Sequence, residues 1–270
     1  MSELDLLLSL CLASLPAVEP GRLWTAWSFS PWVVLPLAAL AGLYGLGVLR
    51  GARPGRGERW FFALGWAALA LALLSPLCRL SPHLAWAHMV QHGLLAAVAP
   101  LLLVLARPGP VLWRGLGRRR ETGEAARGIW GVALLYGAAI WLWHLPGPYQ
   151  ATLFSESIHL LYYVTLLGAS LLFWRTIIAD GRSGGVAGMR AVVTLLGTVV
   201  HTGLLGALLT FSPRLWYPAQ AALVPDWAVS AATDQQLAGL IMWIPLGAIY
   251  AVAGVMILGR QLGGEVSSRP

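Results

Sequence analysis

His88 and His92 stand one helical turn apart in Ala85-Trp86-Ala87-His88-Met89-Val90-Gln91-His92, where a long apolar run begins. Residues i and i+4 of an α-helix share one face, roughly 6 Å apart along the axis. Neutral imidazole is the commonest side-chain metal ligand, so a pair at this spacing can direct two nitrogens at one ion. The same two rings can instead hydrogen-bond across helices as polar packing contacts. One helix does not make a site in either case, and further partners have to come from other elements.

His144, in Trp141-Leu142-Trp143-His144-Leu145-Pro146-Gly147-Pro148-Tyr149, is the strongest second candidate, because Pro146 ends the helix just after it and fixes where the ring emerges. It can also be read as one member of an interfacial aromatic belt. His159 opens the next apolar run, where a ligand and a cap-region polar group are equally good readings. His83 is expected in an exposed loop, and His201 lies farther into its run, as a ligand or a buried hydrogen-bonding group. Met89 and Cys78 are soft donors near the pair. Thioether and thiolate favour Cu(I), whereas imidazole alone serves zinc, copper, iron and nickel, so copper is the metal expected here. A methionine in such a run also serves simply as packing. Asp234, in Thr233-Asp234-Gln235-Gln236, either stabilises the start of its own helix or orients a ligating histidine and completes the site.

These residues are carried by a chain built for lipid. Of 270 residues, 58% are hydrophobic and 11% charged, against roughly 25% charged in soluble domains. Seven apolar runs approach the ~20 residues needed to cross a bilayer: Trp32 to Leu49, Trp60 to Leu77, Leu84 to Ala106, Ile129 to Leu145, Ile158 to Ile178, Ala191 to Phe211 and Leu237 to Leu258. None shows the strict alternation of a barrel strand. The expected fold is an all-α, seven-transmembrane-helix bundle, with Gly197, Gly203 and Gly206 suited to close helix contacts. Three parts follow: an outer interfacial segment at 1–31, the membrane domain at 32–258 and a cytoplasmic tail at 259–270. The N-terminal apolar stretch at 4–18 follows Glu3 and Asp5 rather than a positive region, so it reads as an uncleaved segment lying at the interface, with a short span as the alternative.

All 18 basic residues are arginine, and they account for the net charge of +7. Fifteen fall in loops on one side, among them Arg50, Arg53, Arg56 and Arg59, and the cluster from Arg107 to Arg127; only Arg22, Arg79 and Arg214 fall on the other. The positive-inside rule then puts the N-terminus out and the C-terminus in, with His83, His88, His92, His144 and His159 near the outer face. The basic excess is a topology signal with lipid headgroups as its partner, and nucleic acid is not expected. Two cysteines, Cys11 and Cys78, offer no disulfide framework or zinc-finger spacing to read.

Three function classes can use an outer histidine cluster. A non-catalytic metal carrier needs an exchangeable site with few, soft or borderline donors. A b-type haem or quinone protein would use histidines from different helices. A transporter or enzyme would need charged groups farther along the spans, and none is evident; nor is a Ser–His–Asp or paired-carboxylate arrangement.

Five stretches together resemble one family: 87–108 (AHMVQHGLLAAVAPLLLVLARP), 141–149 (WLWHLPGPY), 159–174 (HLLYYVTLLGASLLFW), 204–218 (LLGALLTFSPRLWYP) and 233–245 (TDQQLAGLIMWIP). In this order they resemble the CtaG family of cytochrome c oxidase assembly factors, seven-helix bacterial membrane proteins. The resemblance implies a multi-pass protein of the bacterial cytoplasmic membrane that serves a haem–copper oxidase subunit as a metal-binding chaperone for copper. It points to His88, His92, His144, His159 and Asp234 as site residues, with Met89 beside them. The chain departs from the family pattern at Tyr162-Tyr163, where relatives tend to carry Glu-His.

Overall fold

A computed structural model describes residues 3–118, 128–225 and 227–267. Arg119, Arg120, Arg127 and Arg269 of the orientation reading, and the last three residues of the expected tail, lie outside the described residues. Among the described residues the protein is predominantly helical, without strands. Six helices are long and apolar enough to cross a membrane: Pro31–Leu49, Arg56–Leu80, Ala85–Leu105, Glu156–Ser183, Gly185–Phe211 and Ala231–Gly263. Ile129–His144 and Pro146–Phe154 meet at a 70° bend and make a seventh crossing when counted together. Leu134, Val164 and Val255 are exposed on the outward faces, as a lipid-facing bundle allows.

The bend has a local cause. Proline disfavours helical geometry at the residue before it and lacks an amide proton. Here Leu145 is extended (φ −64°, ψ 138°), and Pro146 opens the next helix at its first position. On the Gly185–Phe211 helix, buried threonine hydroxyls find partners within their own helix. Thr194, Thr198, Thr202 and Thr210 each donate to the carbonyl four residues back, at 2.7–2.9 Å, which satisfies these four hydroxyls in a low-dielectric setting.

Close approaches occur where side chains vanish. A Cβ on Gly206 or Gly239 would collide with the other residue's carbonyl, and Gly203 lies tight against the Trp243 ring, whereas Gly197 faces open space. The helices ending at Ser183 and starting at Gly185 are joined through Gly184 and Gly185, both at positive φ (70° and 53°), a conformation that glycine adopts without a Cβ penalty.

The arginine end of the bundle is tied across two loops, since Arg114 donates to the Gly51 carbonyl at 2.6 Å and Arg50 to that of Gly115. At the other end the N-terminal segment is α-helical over Glu3–Leu8 and forms a 3-10 helix at Pro20–Thr25. Between these it folds onto the bundle with Leu10, Cys11, Ala13, Leu15 and Val18 buried. The Ala13 amide donates to the Leu153 carbonyl at 2.8 Å, and the Ser28 amide to that of Leu74 at 2.9 Å. Cys11 and Cys78 form a disulfide, a pairing that their separation of 67 residues gave no means of anticipating. Cys78 is consequently not a thiolate donor in this form.

Candidate metal centre

Four histidines come together at the end of the bundle under the N-terminal segment. His88 and His92 lie on the Ala85–Leu105 helix, His144 on the last turn before the Pro146 bend, and His159 on the first turn of Glu156–Ser183. All four are at most 3% exposed. The rings of His92 and His144 meet edge to face with centroids 4.8 Å apart.

Backbone carbonyls fix two of the rings. His144 Nδ1 lies 2.7 Å from the Ile140 carbonyl and His159 Nδ1 lies 2.8 Å from that of Thr152. A carbonyl only accepts, so Nδ1 carries the proton in both, and in the neutral ring Nε2 holds the lone pair. Both Nε2 atoms are buried without a hydrogen-bond partner, and so is Nδ1 of His88. An Nδ1–H···O=C contact behind a free Nε2 is the arrangement that orients metal-binding histidines. The donor chemistry therefore fits a metal ion. The rings do not converge on one point, however: among the described residues no three His, Cys, Asp or Glu side chains are grouped closely enough to hold a metal as they stand.

Tyr162 is the ring shared by His88, His92 and His159, at centroid separations of 5.7, 6.2 and 6.0 Å. Its hydroxyl lies 3.2 Å from His92 Nδ1. Tyr163 packs edge-on against His159 at 4.4 Å and accepts from Gln91 Nε2 at 3.0 Å. Gln91 also donates to the Ala72 carbonyl at 2.8 Å, while its Oε1 is buried without a partner. Tyr162 and Tyr163 thus both pack against the histidine cluster. A small cavity of about 10 Å³ lies beside His92, walled by Ala96, Ile140, Met242 and Tyr250.

Tyr149 covers His88 at 4.7 Å and stacks on Tyr217 at 3.7 Å. Tyr149 donates to Gln220 Oε1 at 2.8 Å, and Tyr217 to the His144 carbonyl at 2.9 Å. Burial pushes the Tyr217 phenol up from its ordinary range, so it stays protonated and able to donate. Met89 is fully buried in the apolar cluster with Ala85, Tyr149, Leu209 and Tyr217.

Asp234 acts on a helix other than its own. Its Oδ2 accepts from the Ala85 amide at 2.7 Å and its Oδ1 from the Trp86 amide at 3.0 Å. These are unpaired donors at the N-terminus of the helix that carries His88 and His92. The helix of Asp234 is capped instead by Ser230, whose hydroxyl oxygen accepts from the Thr233 amide.

The remaining histidines lie apart. His201 accepts from Trp141 Nε1 at 3.4 Å. His83, expected in an exposed loop, is only 5% exposed because the N-terminal segment covers it. Burial lowers its pKa from the ordinary value, and the Arg79 charge adds to that.

Sequence reasoning missed Tyr149, Gln91 and Tyr217. Gln91 was signalled by being an amide inside an apolar run between two histidines; the tyrosines carried no such mark.

No curated protein and no solved structure matches the chain. The model of one family, the cytochrome c oxidase caa3 assembly factor, matches residues 42–262, which takes in every helix of the histidine cluster. The chain belongs to the cytochrome c oxidase caa3 assembly factor family.

Proposed function

We propose that this assembly factor is a non-catalytic copper carrier, which holds copper at His88, His92, His144 and His159 and passes it to a haem–copper oxidase subunit. The reading places it in a bacterial cytoplasmic membrane with the N-terminus and the cluster outside and the C-terminus inside, following the arginine excess at the opposite end. One observation carries it: three imidazole nitrogens from three helices, His88 Nδ1, His144 Nε2 and His159 Nε2, are buried with no partner. A buried polar atom left unpaired costs about 1–3 kcal/mol, and a metal ion that accepts lone-pair donors removes that cost for several rings at once.

Copper is cargo here. A site that needs side-chain rotation to bring its rings together, and that uses borderline donors, suits release as well as capture. Asp234 positions the His88/His92 helix by capping it, and Met89 adds a thioether beside His88. The test is metal analysis of protein purified without a histidine tag. Copper accompanies the wild type, and the His88→Ala/His92→Ala double variant loses at least tenfold in affinity together with oxidase maturation in the host. Full copper content and full oxidase activity in the double variant overturn the reading.

A further inference from the structure

Arg79 lies in the short helix Pro76–Leu80, next to the disulfide cysteine Cys78, and its side chain enters the protein rather than the lipid or water. The residue is 8% exposed, and its Nη1 is buried with no hydrogen-bond partner. The one ion pair among the described residues joins Arg190 to Asp180 at the far end of the bundle, so no described carboxylate neutralises Arg79. His83, one helical turn on, is 5% exposed, and its Nδ1 is also buried and unpartnered. The surroundings do not compensate, since Val18, Leu80, Leu84 and Ala87 form an apolar cluster here. A guanidinium taken out of water without a counter-charge is strongly unfavourable, and a buried cation is normally found with its anion.

We propose that Arg79 and His83 form a binding site for a phosphate-type oxyanion at the histidine end of the bundle, filled by the phosphodiester of a bilayer lipid or by free phosphate. The guanidinium fork matches two oxygens of such an anion, and the His83 ring, drawn to its imidazolium form by a neighbouring anion, adds an N–H donor at Nδ1. The level is that of the headgroups: Arg79 lies at the end of one membrane-crossing helix and His83 in the link to the next, and Trp24 and Trp27, exposed on the segment that folds over them, are residues of the interfacial belt. The wall of the site is held in place, because Cys11 is bonded to Cys78 and the Leu15 carbonyl lies against the His83 ring. The site does not depend on the copper reading.

The experiment is thermal unfolding of the full chain in detergent, titrated separately with a short-chain phosphatidylglycerol and with sodium phosphate, each against sodium chloride of equal ionic strength. The wild type gains about 3 °C or more at saturation, and Arg79→Gln loses that gain. A response to the lipid alone identifies a headgroup site, and a response to both identifies a general phosphate site; either supports the proposal. No gain beyond sodium chloride in the wild type, or an equal gain in Arg79→Gln, overturns it. Should Arg79→Gln not fold, His83→Gln is read instead: at least threefold weaker half-saturation supports the site, and unchanged half-saturation overturns it.

Discussion

One helical turn beyond His92, a second polar cluster is buried in the same bundle, and its members are paired where the histidines are not. The Ala96 carbonyl, in a π-helical turn spanning Leu94–Val98, accepts from Tyr136 at 3.0 Å and from Trp174 Nε1 at 3.3 Å, and the Tyr136 and Tyr250 hydroxyls are 2.5 Å apart. The widened turn frees a carbonyl, and two donors take it. Around His88, by contrast, three imidazole nitrogens and Gln91 Oε1 go without partners. A satisfied network rigidifies a core, whereas unmet polar groups in a native protein call for an explanation such as a ligand. The tyrosine cluster is read as structure, and the histidine cluster as a place where something binds.

Perturbing the two clusters should give opposite results. The largest stability effect is expected at the cover shared by the histidine end: Cys11→Ser removes the link across 67 residues and costs about 2–4 kcal/mol, measured by unfolding under non-reducing conditions. Tyr136→Phe strips the Ala96 carbonyl of one donor and costs about 1–3 kcal/mol, with copper affinity unchanged. His144→Phe shows the reverse, less than about 1 kcal/mol of stability lost but about 10–100-fold weaker copper binding, read by thermal unfolding and chelator competition on the same sample. A smaller change is expected from Asp234→Asn, which keeps an acceptor but loses the charge at the helix N-terminus. It costs about 1 kcal/mol and weakens copper binding only severalfold. Equal copper loss in Tyr136→Phe and His144→Phe would erase the distinction between the clusters.

Hydropathy made the spans legible, because the length of an apolar run is set by the bilayer, and the four histidines stood out as costly groups in such runs. Less visible was whatever depends on partners distant in the chain. Asp234 caps a helix whose first residue is 149 positions away, so its neighbours in sequence pointed to a local cap. Cys11 and Cys78 meet only once the N-terminal segment has folded back. Tyr162 stood out as a departure from a pattern, yet its place among three histidine rings follows from helix rotation, which the periodicity of an all-round apolar helix does not encode. The π-helical turns at Leu94–Val98 and Met242–Leu246 likewise leave little sequence trace beyond Pro245.

X-ray absorption at the copper edge of the copper-loaded, tag-free protein tests the central claim most directly. The account predicts imidazole scattering in the first shell, diminished in His144→Phe and unchanged in Tyr136→Phe. A copper shell without imidazole, or one indifferent to His144, would contradict it.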